Sequence, residues 1–176
     1  MKMRKFIPLL LVIWPYLVLG ILGILPNDEN FNYGLAVLLV CVATAIVYIM
    51  NVIHVCKDKT QDAKELAFMD MLIKLIHIPF YLFVFLIGLI AFVLMVVPIF
   101  AFIAPVLAIM LAIIDFFLML TSSAYGIRAL IRARKKGTIS TMFMVVHIFM
   151  HLCFVLDIIS AIVVFIKLRK ADSNAI

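Results

Sequence analysis

Long runs of apolar residues, interrupted by short polar segments, extend along the whole chain. An apolar run of about 20 residues crosses the roughly 30 Å hydrocarbon layer of a bilayer as an α-helix. Prolines and charged segments set the ends of such runs. The pattern predicts five membrane-spanning helices, over residues 6–25, 33–55, 79–97, 106–127 and 139–166.

The stretch 66–98 is too long for one span. As a single helix it would be about 50 Å long at 1.5 Å per residue. Pro79 lies within it, and proline breaks or kinks a helix. We therefore predict an amphipathic interfacial helix over 62–78, ahead of the third span. One face of that helix carries three polar residues at helical spacing: Asp70, Lys74 and His77.

Composition and charge support a protein embedded in lipid. Apolar residues make up 68% of the 176 residues and charged residues 14%, and a soluble chain of this size could not bury so much apolar surface. We predict an all-α fold, a polytopic transmembrane helical bundle in a single domain over 1–176. Basic residues gather in short segments between the runs, which is typical of cytoplasmic loops. This predicts a plasma-membrane protein with a cytoplasmic amino terminus, in contact with the lipid bilayer and with no nucleic acid.

Five spans leave one conflict with the positive-inside rule. The tail residues Lys167, Arg169 and Lys170 would lie outside, whereas the other basic loops lie inside. A four-span alternative brings the tail inside. It removes one segment from the count, for which the Pro15-interrupted first segment is the best candidate. We predict five spans.

Ionisable groups within the spans are the candidates for function, because each costs a few kcal/mol to place in lipid. Asp115 lies in the centre of a seam of small residues on span four, and such seams let membrane helices pack closely. His147 and His151 lie four residues apart on span five, with Asp157 further along. Counting from the basic loop places Asp115 between the two histidines in depth. Asn51 belongs to a polar stripe on span two.

Two interpretations of Asp115, His147 and His151 compete. In the first they join helices through interhelical hydrogen bonds, each worth about 0.6 kcal/mol. In the second they form a proton relay or a metal site, since imidazole binds zinc and other transition ions. The HExxH protease motif is absent, because isoleucine follows His147. We prefer the first interpretation, so no catalytic, cofactor-binding or metal-binding residue is assigned and no cofactor is expected.

A family resemblance rests on three segments: LIKLIHIPFYLFVFLIGLIAF, SSAYGIRALIRARKKG and FVLDIISAIVVFIKLRK. They resemble small multi-pass membrane proteins of unknown function encoded by Gram-positive bacteria. The resemblance covers most of the chain. It implies no activity and identifies no functional residue.

Three functions from different classes follow from these observations. The preferred one is a non-enzymatic helical bundle that acts through partner proteins, as an accessory subunit or an immunity-type protein. Its partner would be another membrane protein or a second copy of the chain. The second is a small oligomeric ion or proton transporter that uses Asp115, His147 and His151. The third is a metal-dependent intramembrane enzyme.

Overall fold

The computed structural model describes residues 3–24, 26, 32–58 and 60–173, and within these residues it contains six α-helices and no β-strand. The predicted all-α class is confirmed. The helices are α1 (Met3–Ile24), α2 (Tyr33–Lys57), α3 (Ala63–Leu94), α4 (Ile103–Lys135), α5 (Thr141–Met150) and α6 (Phe154–Ser173). They form two compact units, Met1–Gln61 with α1 and α2, and Asp62–Ile176 with α3 to α6. The single domain over 1–176 stays a prediction.

Four of the described helices, α1 to α4, are long and apolar enough to cross a membrane. The spans predicted over 6–25 and 33–55 correspond to α1 and α2. The finding supports a membrane protein, and it does not confirm a count of five spans.

In the first unit α1 and α2 pack against each other. Trp14 Nε1 donates a hydrogen bond to Thr44 Oγ1 at 3.0 Å, and the Thr44 hydroxyl lies 2.8 Å from the Val40 carbonyl oxygen. α1 continues through two buried prolines, Pro8 and Pro15. Most side chains of α2 are at least partly exposed. So large an apolar surface needs lipid or another protein around it.

α3 is one continuous helix from Ala63 to Leu94, so the predicted division into an interfacial helix over 62–78 and a span over 79–97 is wrong. Pro79 costs one backbone hydrogen bond, but in lipid every other backbone group stays paired only if the helix continues. One face of α3 is buried on both sides of Pro79 and packs along α4. This packing holds the helix together across the proline.

The three polar residues predicted to share a face of the interfacial helix lie on this buried face of α3. Asp70, Lys74 and His77 are each at most 1% exposed. They point into the second unit rather than along a membrane surface. A buried acid–base pair in an apolar helix is a sign of an internal polar site.

α4 extends to Lys135, two turns beyond its predicted end near residue 127. The extension keeps a buried face of small and apolar residues: Ala129, Leu130 and Ala133. Gly137, with φ of 73°, ends the helix. The N–H groups of Thr138 and Gly137 donate to the carbonyls of Ala133 and Arg134 at 3.0 Å each, which is the Schellman arrangement.

The predicted fifth span, 139–166, is two helices, α5 and α6, joined at residues 151–153. His147 Nδ1 lies 2.8 Å from Ser160 Oγ, and Lys167 Nζ lies 3.8 Å from the centre of the Phe143 ring. The earlier residue of α5, Phe143, contacts the later residue of α6, Lys167, so the two helices are antiparallel and the chain reverses after α5. No proline or glycine marks the reversal, and periodicity alone does not separate the helices.

The start of α3 and the ends of α4 and α6 meet at one end of the second unit, which we call the basal end. Lys136 pairs with Asp62 at 2.8 Å, and Lys64 pairs with Asp172 at 2.6 Å. A hydrogen bond from Lys136 and its positive charge hold the pKa of the exposed Asp62 carboxyl below its usual range. The opposite end is an apolar turn over 95–102, which we call the tip.

The reversal between α5 and α6 removes the conflict that five spans created. α6 returns to the basal end, so the tail carries its basic residues to the same end as the basic end of α4: Lys167, Arg169 and Lys170. The segment that does not cross as one helix is therefore the last one, not the Pro15-interrupted first one.

We expect cysteines introduced at Thr138 and at Ser173 to be labelled from the same side of the membrane, because both positions lie at the basal end. The measurement uses a membrane-impermeant thiol reagent on intact cells and on inverted vesicles, with the three native cysteines replaced by alanine. A single span over 139–166 would put the two positions on opposite sides, and that outcome would contradict the reversal.

Candidate functional site

A buried ionic cluster joins four segments of the second unit. It consists of Asp70, Lys74, Ser123, His151 and Asp157, each at most 2% exposed. Asp70 and Lys74 lie one turn apart on α3, and Ser123 lies on α4. His151 follows the last residue of α5, and Asp157 lies in the first turn of α6. We refer to these five residues as the ionic cluster.

Lys74 is the centre of the ionic cluster. Its Nζ lies 2.8 Å from Asp70 Oδ1, 2.5 Å from Asp157 Oδ1 and 2.8 Å from His151 Nδ1. The same oxygen of Asp157 lies 2.6 Å from His151 Nδ1 and accepts a hydrogen bond from Ser123 Oγ at 3.0 Å. A buried ammonium requires such pairing, since an isolated ion in an apolar interior costs several kcal/mol.

His151 Nδ1 has two neighbours in the ionic cluster, Lys74 Nζ and Asp157 Oδ1. This nitrogen cannot accept from Lys74 while it donates to Asp157, because it carries either a lone pair or a proton. A neutral ring therefore either accepts from Lys74 or donates to Asp157 through Nδ1.

The chain reversal at residues 151–153 brings His151 and Asp157 together. On one continuous helix these residues would point about 120° apart, since each residue turns the helix by 100°. With the reversal, their Nδ1 and Oδ1 atoms meet at 2.6 Å. Burying polar groups without partners is costly, so this pairing favours two helices over one.

Gly126 allows α4 to approach the cluster closely. A Cβ atom at this position would lie 2.5 Å from His151 Nε2 and 2.6 Å from Asp70 Oδ2. These two atoms are themselves 3.8 Å apart. Both side chains are held by ion pairs to Lys74 or Asp157, so neither moves aside without loss of a contact.

Two of the residues predicted from the sequence, His151 and Asp157, belong to the cluster. His147 lies one turn before His151, and its Nδ1 is 2.8 Å from Ser160 Oγ. Asn51 is buried in α2 of the first unit. Asp115 on α4 is 7% exposed, and its Oδ1 has no hydrogen-bond partner among the described residues.

The expected position of Asp115 between the two histidines is wrong. The His151 ring lies against Gly126, 11 residues further along α4. At 1.5 Å per residue this is about 16 Å along the helix axis. His147 lies still further toward the basal end, because α5 begins there and ends just before His151.

The expected depths were wrong because the two residues from which they were counted lie at different heights along α4. Depth was counted from the two ends of the basic loop, Arg128 for the fourth span and Lys136 for the fifth, as if these residues lay at one level. Since α4 remains helical to Lys135, these residues are about 12 Å apart along its axis. Arg134 Nε donates to Thr141 Oγ1 at 2.8 Å, so α5 starts beside the very end of α4.

The three proposed metal ligands are thus not assembled. Among the described residues, no group of three or more histidine, cysteine, aspartate or glutamate side chains is placed to hold a metal ion. His151 is engaged by Lys74 and Asp157 instead.

Three members of the ionic cluster, Asp70, Lys74 and Ser123, were not predicted as site residues. The first two carried a usable signal, an acid and a base four residues apart within an apolar helix. The predicted break at Pro79 assigned them to a membrane surface. Ser123 carried no separate signal, because a serine in a small-residue seam is ordinary in membrane helices.

The small-residue seam predicted on α4 is mostly buried. Its buried members are Ala104, Asp115, Met119, Ser122 and Gly126. Ala108 is half-buried and Ala112 is exposed. The seam faces the interior of the second unit over most of its length and opens beside Asp115.

A family model described as a family of unknown function (DUF6652) matches residues 3–170, so the chain belongs to this family. The comparison with curated proteins gave no match, and neither did the comparison with solved structures. The family assignment agrees with the expected resemblance to proteins of unknown function. A Gram-positive source stays a prediction.

Replacing Lys74 with methionine is expected to destabilise the protein strongly, because it leaves two buried carboxylates without their cation. Breaking a buried ion pair from one side costs about 3–5 kcal/mol. Thermal unfolding of the purified chain in detergent measures the effect. Lys64→Met is the matched control, since the Lys64–Asp172 pair is exposed and such pairs contribute about 0–1 kcal/mol. Equal losses for the two variants would contradict a stabilising role for the cluster.

Gly126→Ala is expected to lower the unfolding temperature, because the new methyl group overlaps His151 and Asp70. Overpacking of this kind costs about 1–3 kcal/mol. Gly88→Ala on α3 is the control, since a Cβ there meets nothing within 4 Å and alanine favours the helix. If Gly126→Ala unfolds at the wild-type temperature, the close approach is not needed.

Proposed function

We propose that the chain is a non-enzymatic helical bundle of the bacterial plasma membrane that acts through a partner protein, as an accessory subunit or an immunity-type protein. One observation carries the proposal: the ionisable side chains of the cluster are buried and paired with one another. A catalytic or transport site needs groups that reach a substrate. The most concentrated polar chemistry of this chain is used to hold its own helices together.

The proposal places the basal end on the cytoplasmic side and the tip at the outer side, in agreement with the positive-inside rule. Lys74 lies 20 residues before Leu94, the last residue of α3. That length of helix is about 30 Å, one thickness of the hydrocarbon layer. The ionic cluster then lies at the inner edge of the layer. With α1 to α4 as four spans, the amino terminus is also cytoplasmic.

A proton pathway through α3 and α4 would lack carriers in its outer half. No residue between Leu82 and Ile114 has a polar side chain. Proton relays in membranes use ionisable side chains or water-filled cavities. Asp115 is the last ionisable group on the way to the tip. This argues against the transporter that would use Asp115, His147 and His151.

An intramembrane metal enzyme requires about three protein ligands at one point and an open position for substrate. Asp115 lies about 16 Å along α4 from the level of His151. The His151 ring is enclosed by the cluster and is 0% exposed. Both features argue against the enzyme.

The surroundings of Asp115 support the proposal of a partner protein. Its carboxyl is buried without a hydrogen-bond partner for Oδ1 among the described residues, at a depth that the proposal assigns to the hydrocarbon layer. Such a group is expensive alone and is usually paired with another helix.

The test combines native membranes with purified protein. The tagged chain, produced at its normal level and extracted in mild detergent, is expected to migrate in a complex larger than the purified chain. In proteoliposomes the purified chain is expected to give no proton flux under an imposed pH gradient. A free monomer in native membranes, or a flux that Asp115→Asn abolishes, would contradict the proposal.

A further inference from the structure

We propose that the face of α4 formed by Ala108, Ala112 and Asp115 binds a transmembrane helix of a different protein, and that this helix carries a basic side chain opposite Asp115. The inference rests on the proposed function and names the site and the chemistry of the partner. It is carried by the burial of Asp115, the opening of the seam beside it and the distribution of charge along the chain.

One oxygen of the Asp115 carboxyl lacks a hydrogen-bond donor among the described residues. The side chain is 7% exposed, and Oδ1 is buried without a hydrogen-bond partner. Its neighbours along the helix, Ile114 and Phe116, are apolar and are 43% and 47% exposed. A carboxyl group in such surroundings gains more from one donor than it would in water.

The seam is open on the amino-terminal side of Asp115. Every Cα–Cβ bond of a helix tilts toward the amino-terminal end, so the Asp115 side chain leaves the helix on the side of Ala112 and Ala108. Ala112 is exposed and Ala108 is half-buried, whereas Met119 and Ser122 on the other side of Asp115 are buried. Small residues let a second helix approach closely in a membrane. A helix seated on the two alanines would therefore reach the carboxyl.

The negative charge of the Asp115 carboxylate indicates which side chain the partner helix carries. A carboxylate in the hydrocarbon layer is stabilised most by a cation, because an ion pair offsets part of the cost of the charge. A second copy of the chain has no cation to offer at this depth, since lysine, arginine and histidine are absent from residues 6–53, 78–127 and 152–166. The His151 ring lies at the level of Gly126, about 16 Å from Asp115 along the helix axis. A second copy would set Asp115 against Asp115, and like charges repel. The occupant is therefore a helix of another protein with lysine, arginine or histidine within its span.

A model helix tests this chemistry. The purified full chain, with a donor dye at its carboxyl terminus, is reconstituted in liposomes with an acceptor-labelled Leu/Ala peptide of about 22 residues. One peptide has a central lysine and the other a central leucine. Energy transfer is expected at about tenfold lower peptide-to-lipid ratio for the lysine peptide, the size expected of one polar contact between membrane helices.

Variants of the chain assign the contact. Asp115→Leu is expected to remove the preference for lysine, and Asp115→Asn to reduce it, because an amide accepts a hydrogen bond but carries no charge. Phe117→Leu is the control on the opposite side of α4, at nearly the same depth, and should leave the preference intact. Equal binding of the two peptides, or a preference that survives Asp115→Leu, would overturn the inference. So would transfer between two labelled copies of the chain that Asp115→Leu abolishes.

The inference and the proposed function can fail separately. If the complex in native membranes persists with Asp115→Leu, the chain acts through a partner but not through this face. If no complex forms and the model peptides bind equally, both fail.

Discussion

The pairing of the Lys74 ammonium with two carboxylates in an apolar interior is the interaction on which the second unit depends. Asp70 lies on the same helix, but Asp157 lies far along the chain and reaches Lys74 only because the chain reverses after α5. Each of these three buried charges would cost several kcal/mol without the others. The cluster therefore fixes α3, α4, α5 and α6 at the same height along the bundle. The cluster also requires glycine at position 126, because α4 contacts the charged groups there and leaves no room for a Cβ atom.

Run length and composition predicted the all-α class and the helices α1 and α2, because an apolar helix in lipid needs only sufficient length. They did not predict α3 as one helix, because the cost of Pro79 is offset by packing that a linear pattern does not contain. They also merged α5 and α6, since nothing in the run from Ser140 to Ile166 differs from a span. The reversal there is decided by the contact between His151 and Asp157, which forms only in three dimensions.

The two acids predicted within membrane spans, Asp115 and Asp157, have different surroundings. Asp157 is enclosed in the cluster and stabilises the fold. Asp115 lies apart from it, beside an opening in the seam of α4, and is the acid that we propose pairs with an external helix. This separation supports our proposal of a helical bundle that binds a partner helix, over the proposals of an enzyme or a pathway for protons.

Hydrogen–deuterium exchange in Asp157→Asn tests the central role of the cluster most directly. The variant keeps the shape of the side chain and removes its charge, and Asp172→Asn on the same helix is the matched control, since its ion pair is exposed. The cluster predicts faster exchange of the α5 and α6 amides in Asp157→Asn, with α1 and α2 unchanged, because a local opening needs only the loss of local contacts. Equal protection of α5 and α6 in the two variants would contradict the account.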